Sequence, residues 1–404
     1  MVSGGAEAVP GIRKAKELGL YVVVLDGDAQ APGVALADDF LEISTYDVQG
    51  SVRAAKEYDA KVRKIDATIS VAADVPLTVA SIAEALSLPG IPILSATLSS
   101  DKLAMKQRFH EDDIALPWFS PVKSAAHLRE IVRQEGLPLV VKPVDSRGSR
   151  GVLRLTEGLD PDLAFETARS FSPSGRIMVE RFLSGPQVST ESLIVDGISH
   201  TVGFADRNYE YLDKYAPHII ENGGQLPTNL GLEARVAVAD LIQKAAESIG
   251  VRNGVIKGDI VIFRGTPHVI EVATRLSGGY FCTHEIPLSS GVDLVGAAIR
   301  QALGDPVAPS ALKARFERPV AQRYLFPKPG RVVDIYVPNW IREDKEVAFF
   351  ELRIRPGDIV PRPIHHPARS GVAITTGPTP KRALEKAEEV ISSIRVVTEE
   401  LSHD

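Results

Sequence analysis

The chain has 404 residues, which at roughly 150 residues per domain gives two to three domains and ample apolar material for several cores, so a small disulfide- or metal-dependent scaffold is excluded. With 44% apolar and 24% charged residues it is neither a disordered nor a fibrous chain. Lys and Arg number 46 against 52 Asp and Glu, for a net charge of −6, and no basic cluster is long enough to track a nucleic-acid backbone, so no nucleic acid is expected.

The lone cysteine, Cys282, cannot make an internal disulfide or a cysteine-based zinc site, which fits a reducing compartment and a cytoplasmic location. The longest apolar runs, such as 20–25 and 67–73, are strand-length and far below the roughly 20 residues of a bilayer span. No membrane partner is expected, and no leader pattern is read near Met1.

In chain order, Met1-Val2-Ser3-Gly4-Gly5 reads as a strand end running into a glycine turn. Residues 20–25 read as a strand, 52–58 as part of a helix, 67–71 as a strand and 75–86 as a helix, the alternation of a helix-covered parallel sheet. A helix over 102–109 follows, then strands over 137–143, 151–155, 176–182 and 188–195. Residues 206–227, with Pro217, Gly223, Gly224 and Pro227, read as a long polar loop of functional type. After a helix over 232–249 come strands over 255–263 and 268–274, then a mixed module from about residue 306 with strands over 332–337, 347–354 and 372–376 and a helix over 380–394. The predicted domains are 1–97, 98–305 (with a lid over about 115–181) and 306–404.

Chemistry concentrates on the hairpin whose turn is Arg264-Gly265-Thr266-Pro267. Folding about that turn brings Asp259 beside Glu271. Residues two apart share a strand face, so Glu271, Ala273 and Arg275 point one way, with Arg275 roughly 13 Å along from Glu271. Facing carboxylates repel unless a cation lies between them. A magnesium ion held by carboxylates and substrate phosphates would satisfy both, and an Arg beyond it could stabilise a transferring phosphoryl group. A surface hairpin whose acids pair with Lys257 or Arg275 is the competing reading, and this motif alone leaves both standing.

Two further segments bear on the choice. Residues 140–152 run from an apolar strand ending in Lys142 into a loop with Ser146, Gly148, Ser149 and Gly151. Such a loop can offer backbone N–H groups to phosphate oxygens beside a fixed positive charge. It is not a Walker loop, because no Gly-Lys-Ser/Thr opens a helix after it. Residues 177–191 carry Glu180, Phe182, Leu183 and Gln187 at a strand edge whose freed main-chain groups could meet an adenine and its ribose.

Taken in order, these pieces resemble the ATP-grasp superfamily. Ser100-Asp101-Lys102 opens a helix; then come Lys142 with its Ser/Gly loop, the Glu180-Arg181-Phe182-Leu183 hinge, and Asp259 twelve residues before Glu271-Val272-Ala273-Thr274-Arg275. The order, rather than any single piece, carries the likeness. The resemblance implies an α/β and α+β architecture: an ATP-grasp fold preceded by a Rossmann-like domain and followed by a mixed module, as in the biotin carboxylase-like branch. It implies that Lys102 and Lys142 contact ATP phosphates and that residues 146–151 form the cover. It further implies that Glu180, Phe182 and Leu183 meet adenine and that Gln187 stands at the ribose position. Asp259 and Glu271 would hold Mg²⁺ (or Mn²⁺), and Arg275 would stabilise the γ-phosphoryl group.

The usual motif at the second metal strand is Glu-x-Asn-x-Arg, and Ala273 here replaces the Asn. That departure, together with Ser277-Gly278-Gly279 after Arg275, is more similar to the carboxylate-amine ligases, the L-amino acid ligases among them, than to biotin carboxylases. Ser277, Gly278 and Gly279 could form an anion-binding turn for a substrate carboxylate, and Arg369 is a second candidate grip. The implied activity is ADP-forming amide or peptide bond formation through an acyl phosphate, on small carboxylate and amine substrates, in a homodimer. Bicarbonate activation of the carboxylase or carbamoyl-phosphate kind, and non-catalytic ATP binding, are the alternatives.

Overall fold

A computed structural model describes residues 1–400. The chain divides into two compact units. The first comprises residues 1–116, 189–204 and 230–316, and the second residues 117–188, 205–229 and 317–404. No helix among the described residues is long and apolar enough to cross a membrane.

The first unit opens with a parallel pairing whose second strand, Asp39–Glu42, was not among those expected. Strands Val23–Asp26 and Asp39–Glu42 pair in parallel, and Val2 bridges Leu25 on the other side. Residues 67–71, expected as a strand, form no ladder. Ile69 accepts one hydrogen bond from the Val2 N–H at 2.9 Å, and Val71 makes a single bridge to Leu276. Their apolar side chains are strand-like, but each flank offers only an isolated partner. Helices Val48–Lys61 and Pro76–Ala85 cover this sheet, burying Ala55 and Ile82 with Val2, Leu25 and Val75.

The rest of the first unit is built on the hairpin Gly254–Phe263 and Thr266–Ala273, joined as the Arg264-Gly265 turn requires. Helix Lys102–Glu111 begins where Asp101 accepts hydrogen bonds from the N–H groups of Leu103 and Ala104, both at 3.0 Å, an N-cap that fixes its first residue. Its Met105 Sδ accepts the Val272 N–H at 3.4 Å, setting the helix against the Glu271 strand.

In the second unit four antiparallel strands follow the order Phe119–Val122, Ile177–Arg181, Leu139–Pro143 and Leu153–Leu155. Helices Ala125–Glu135 and Pro161–Ser170 close one face of this sheet over a core that includes Leu128, Ile131, Leu139, Val141, Phe165 and Val179. Strand Val320–Leu325 pairs with Gly371–Thr376 on one side and with Gly223–Leu226 on the other. Helix Pro380–Ser393 packs Ala383 and Ala387 onto Ala321.

Gly223–Leu226 overturns part of the long-loop expectation, since the segment 206–227 ends in a strand and begins within another, Ile198–Asn208. Gly-Gly suggests a turn by composition. Here it serves close approach instead: at Gly223, with φ +156, a Cβ would lie 2.0 Å from the Gln322 carbonyl oxygen.

Leu128 is fully buried in the four-stranded subdomain. Leu128→Ala should cost that subdomain about 2–5 kcal/mol. Native-state hydrogen exchange of the amides of Leu139, Val140, Val141 and Lys142 measures the loss, and unchanged protection would refute this packing.

Candidate active site

In the first unit, Asp259 and Glu271 are direct Cα partners across the hairpin, so their side chains leave the same face of the ladder. A register shift follows immediately after Asp259: Ile260 pairs with Val269, so Ile270 is the extra residue and the bulge sets Asp259 opposite Glu271. Each carboxylate has a lysine. Lys257, two residues before Asp259 on the same face, contacts its Oδ1, and Lys102 Nζ lies 3.6 Å from Glu271 Oε2. Ser189 also donates its hydroxyl to Asp259 at 2.9 Å. The ion-pair reading of Asp259 with Lys257 is thus present together with the paired acids, and the two do not exclude each other.

No cluster of three or more His, Cys, Asp or Glu side chains suited to a metal occurs among the described residues. Two carboxylate donors without nitrogen or sulfur ligands fit a hard cation such as Mg²⁺, which completes its octahedron with water and phosphate oxygens. Ala273, opposite Lys257 in the ladder, supplies no ligand atom.

Arg275 lies past the end of the strand at Ala273. Its Nε donates to Asp74 Oδ1 at 2.6 Å. Burial by itself would lower the Arg275 pKa, but Asp74, then Glu191 and Glu271, outweigh it and hold the guanidinium firmly charged.

The turn that follows is pinned by carboxylates. Ser277 donates its N–H to Glu191 Oε1 at 2.9 Å and its hydroxyl to Oε2, and Gly279 donates its N–H to Glu7 Oε2 at 2.6 Å. In the turn at Ser277, Gly278 and Gly279, expected to bind an anion, two of the amides thus serve acids of the chain itself. Neither Glu7, Asp74 nor Glu191 was singled out by pattern, because each lies in a segment remote in sequence from Arg275. Only Glu191, an acid inside an apolar strand, gave a local signal.

In the second unit Lys142 and Glu180 sit diagonally on adjacent strands, and Lys142 Nζ donates to Glu180 Oε1 at 2.6 Å with both side chains buried. The loop beyond Lys142 places Gly148, Ser149 and Gly151 in the left-handed region, with Ser146 buried. The Phe182 N–H is not freed as expected, since it donates to the Pro138 carbonyl at 3.3 Å; its ring lies 5.7 Å from the Arg154 guanidinium. Leu183 follows the end of its strand, and Gln187 opens the next.

Arg369 donates from Nη2 to the Glu221 carbonyl at 2.9 Å and lies 3.7 Å over the Tyr324 ring, while Arg207 holds Glu221 Oε2 from two nitrogens at 2.9 and 2.6 Å. A cavity of about 390 Å³ borders Arg369, with Arg353, Asp358 and Pro361 on its wall; none of the expected phosphate residues lines it.

With this geometry in view, residues 99–279 match the ATP-grasp domain and residues 323–399 the L-amino acid ligase C-terminal domain 2. The chain thus carries an ATP-grasp domain and an L-amino acid ligase C-terminal domain 2. The crystal structure of L-amino acid ligase from Bacillus licheniformis superposes with a TM-score of 0.82 at 22% identity over 98% of each chain, so the mixed α/β ATP-grasp fold expected above is the fold observed. An uncharacterized protein of Sinorhizobium fredii, y4rH, is 24% identical across 95% of this chain and 79% of its own. A D-alanine--D-alanine ligase of Desulforudis audaxviator is 25% identical, with 47% of this chain and 64% of that ligase matched.

Burial pushes the Glu191 carboxyl up from 4.5 to about 7, against the hydrogen bonds from Ser277 and the charges of Arg275 and Lys257. A raised carboxyl pKa means that the folded chain holds the proton more tightly. Its stabilising contribution is full below about 4.5, fades as the pH climbs to about 7, and is level above that. Glu191→Gln should remove this slope from the unfolding free energy, as denaturant titrations across that window would record; an unchanged slope would place the proton elsewhere.

Proposed function

We propose that this chain is an ATP-dependent, ADP-forming carboxylate-amine ligase that makes an amide or peptide bond through an acyl phosphate. The observation that carries the reading is the direct cross-strand register of Asp259 and Glu271, with Lys102 beside them and Arg275 just past the strand end. The two matched domains and their similarity to named ligases support it.

A bound Mg²⁺ ion would neutralise triphosphate charge at Asp259 and Glu271. The chain's own groups do the rest. Lys102 and Lys142 offset phosphate charge, and residues 146–151, with Ser146, Gly148, Ser149 and Gly151, shield the transferring group from water. Glu180, Phe182, Leu183 and Gln187 line the base and ribose side.

A carboxylate oxygen of the acid substrate attacks the γ-phosphorus, and ADP leaves with the bonding pair. Arg275 offsets the charge that develops on the phosphoryl oxygens, a preorganised task because Asp74 fixes its guanidinium. The amine then attacks the acyl carbon and loses a proton, and phosphate departs. Arg369 with Arg207 and Glu221 offers charges of both signs suited to an amino acid. The small-molecule substrates, a homodimer and a cytoplasmic setting complete the reading.

A phosphate-release screen with ATP and Mg²⁺ over pairs of carboxylates and amines, followed by product mass, tests the assignment. Release that requires both partners, with a product equal to their sum less water, is expected; release driven by bicarbonate alone contradicts it. In the active pair Arg275→Ala should lower kcat by at least about a hundredfold with the fold intact, and wild-type turnover would remove Arg275 from the chemistry.

A further inference from the structure

We infer that His366 is a positioning residue that clasps the glycine-serine cover loop to the C-terminal strap formed by residues 365–369, and that the same strap fixes Glu221. The functional meaning of the clasp rests on the ligase reading above; its geometry does not.

Five contacts converge on this strap, all within the second unit. The His366 N–H donates to the Gly148 carbonyl at 3.0 Å, and His366 Nε2 lies 3.1 Å from Ser149 Oγ. The Glu221 N–H donates to the same Nε2 at 3.5 Å. A backbone N–H can only donate, so Nε2 is the acceptor, the ring proton is on Nδ1, and the Ser149 hydroxyl is a donor. Pro367 packs on the loop as well: a Cβ on Gly148 would stand 3.3 Å from Pro367 Cδ, and Gly148 has φ +61. Arg369 closes the far end through the Glu221 carbonyl.

A loop with three residues in the left-handed region and few apolar side chains has little local stability of its own. Its closed form therefore depends on what holds it from outside, and the strap supplies a main-chain bond, a side-chain bond and a proline contact. Because one imidazole nitrogen is shared by Ser149 and Glu221, the cover and the acid beside Arg207 and Arg369 are tied to one ring. Opening the cover breaks the ring's contact to Ser149, and displacing Glu221 shifts the same ring. His366 thus links the nucleotide cover to the charged pocket without touching substrate.

The clasp is tested on the full chain without nucleotide by limited trypsin digestion, reading cleavage after Arg147 and Arg150. His366→Ala should speed cleavage at these two positions by about tenfold, the loss expected for one or two hydrogen bonds. His366→Gln, whose side-chain amide can accept in place of Nε2, should remain within about twofold of wild type. In an active ligase the alanine variant should also raise the KM for ATP by a similar factor while kcat changes by less than about threefold.

Equal cleavage of the alanine variant and wild type, failure of the glutamine variant to restore protection, or cleavage spread across the unit overturns the clasp. A wild-type chain that turns over no carboxylate-amine pair yet shows the cleavage contrast defeats the ligase reading and leaves the clasp standing.

Discussion

Two negative charges set side by side on neighbouring strands are the constraint around which the first unit is arranged. At a separation of about 5 Å and an effective dielectric near 20, two full charges repel by about 3 kcal/mol, well above the ~0–1 kcal/mol of an exposed ion pair. The Asp259-Glu271 register is therefore tenable only where cations are supplied. Lys257 and Lys102 supply them in the chain itself, and Arg275 adds a third positive group within electrostatic reach of Glu271. An arrangement that concentrates opposite charge around two hard oxygen donors is suited to a metal-bound polyphosphate, because the triphosphate brings negative charge that the lysines and Arg275 can accept.

The supporting acids explain why Arg275 can be held in place. Asp74 takes its Nε, Glu191 takes the next turn by Ser277, and Glu7 takes it by Gly279. Three carboxylates from distant segments convert a glycine-rich loop into a fixed platform. Glu191 is costly to ionise where it sits, as its raised pKa records.

The sequence made the hairpin legible because Arg264-Gly265 between two apolar runs marks a turn, but the register of that turn would set Asp259 opposite Ile270, and the bulge after Asp259, which no local pattern shows, moves its partner to Glu271. Helix Lys102–Glu111 was equally visible through its Asp101 cap. Residues 67–71 misled for the opposite reason. Their apolar run satisfies strand chemistry, but a ladder needs continuous partners, which are absent from any local pattern. Gly223–Leu226 escaped as a strand because Gly-Gly has low strand propensity, although it pairs both with Asp206–Asn208 nearby and with Val320–Leu325 about a hundred residues on. Helices 125–135, 161–170 and 294–302 were passed over despite caps at Ser124, Asp160 and Asp293.

Residue order by itself determined the fold class and the chemical inventory: a lysine before a small-residue loop, two acids twelve residues apart on one hairpin, and an arginine beyond them. These are short-range facts, governed by turn geometry and strand period. Tertiary structure alone decided the partners: Asp74 for Arg275, Glu191 and Glu7 for the turn once expected to bind substrate, and His366 for Gly148 and Ser149. Those contacts join segments up to 272 residues apart, where no periodicity reaches, and they form only when packing brings the chain's distant parts into hydrogen-bond range.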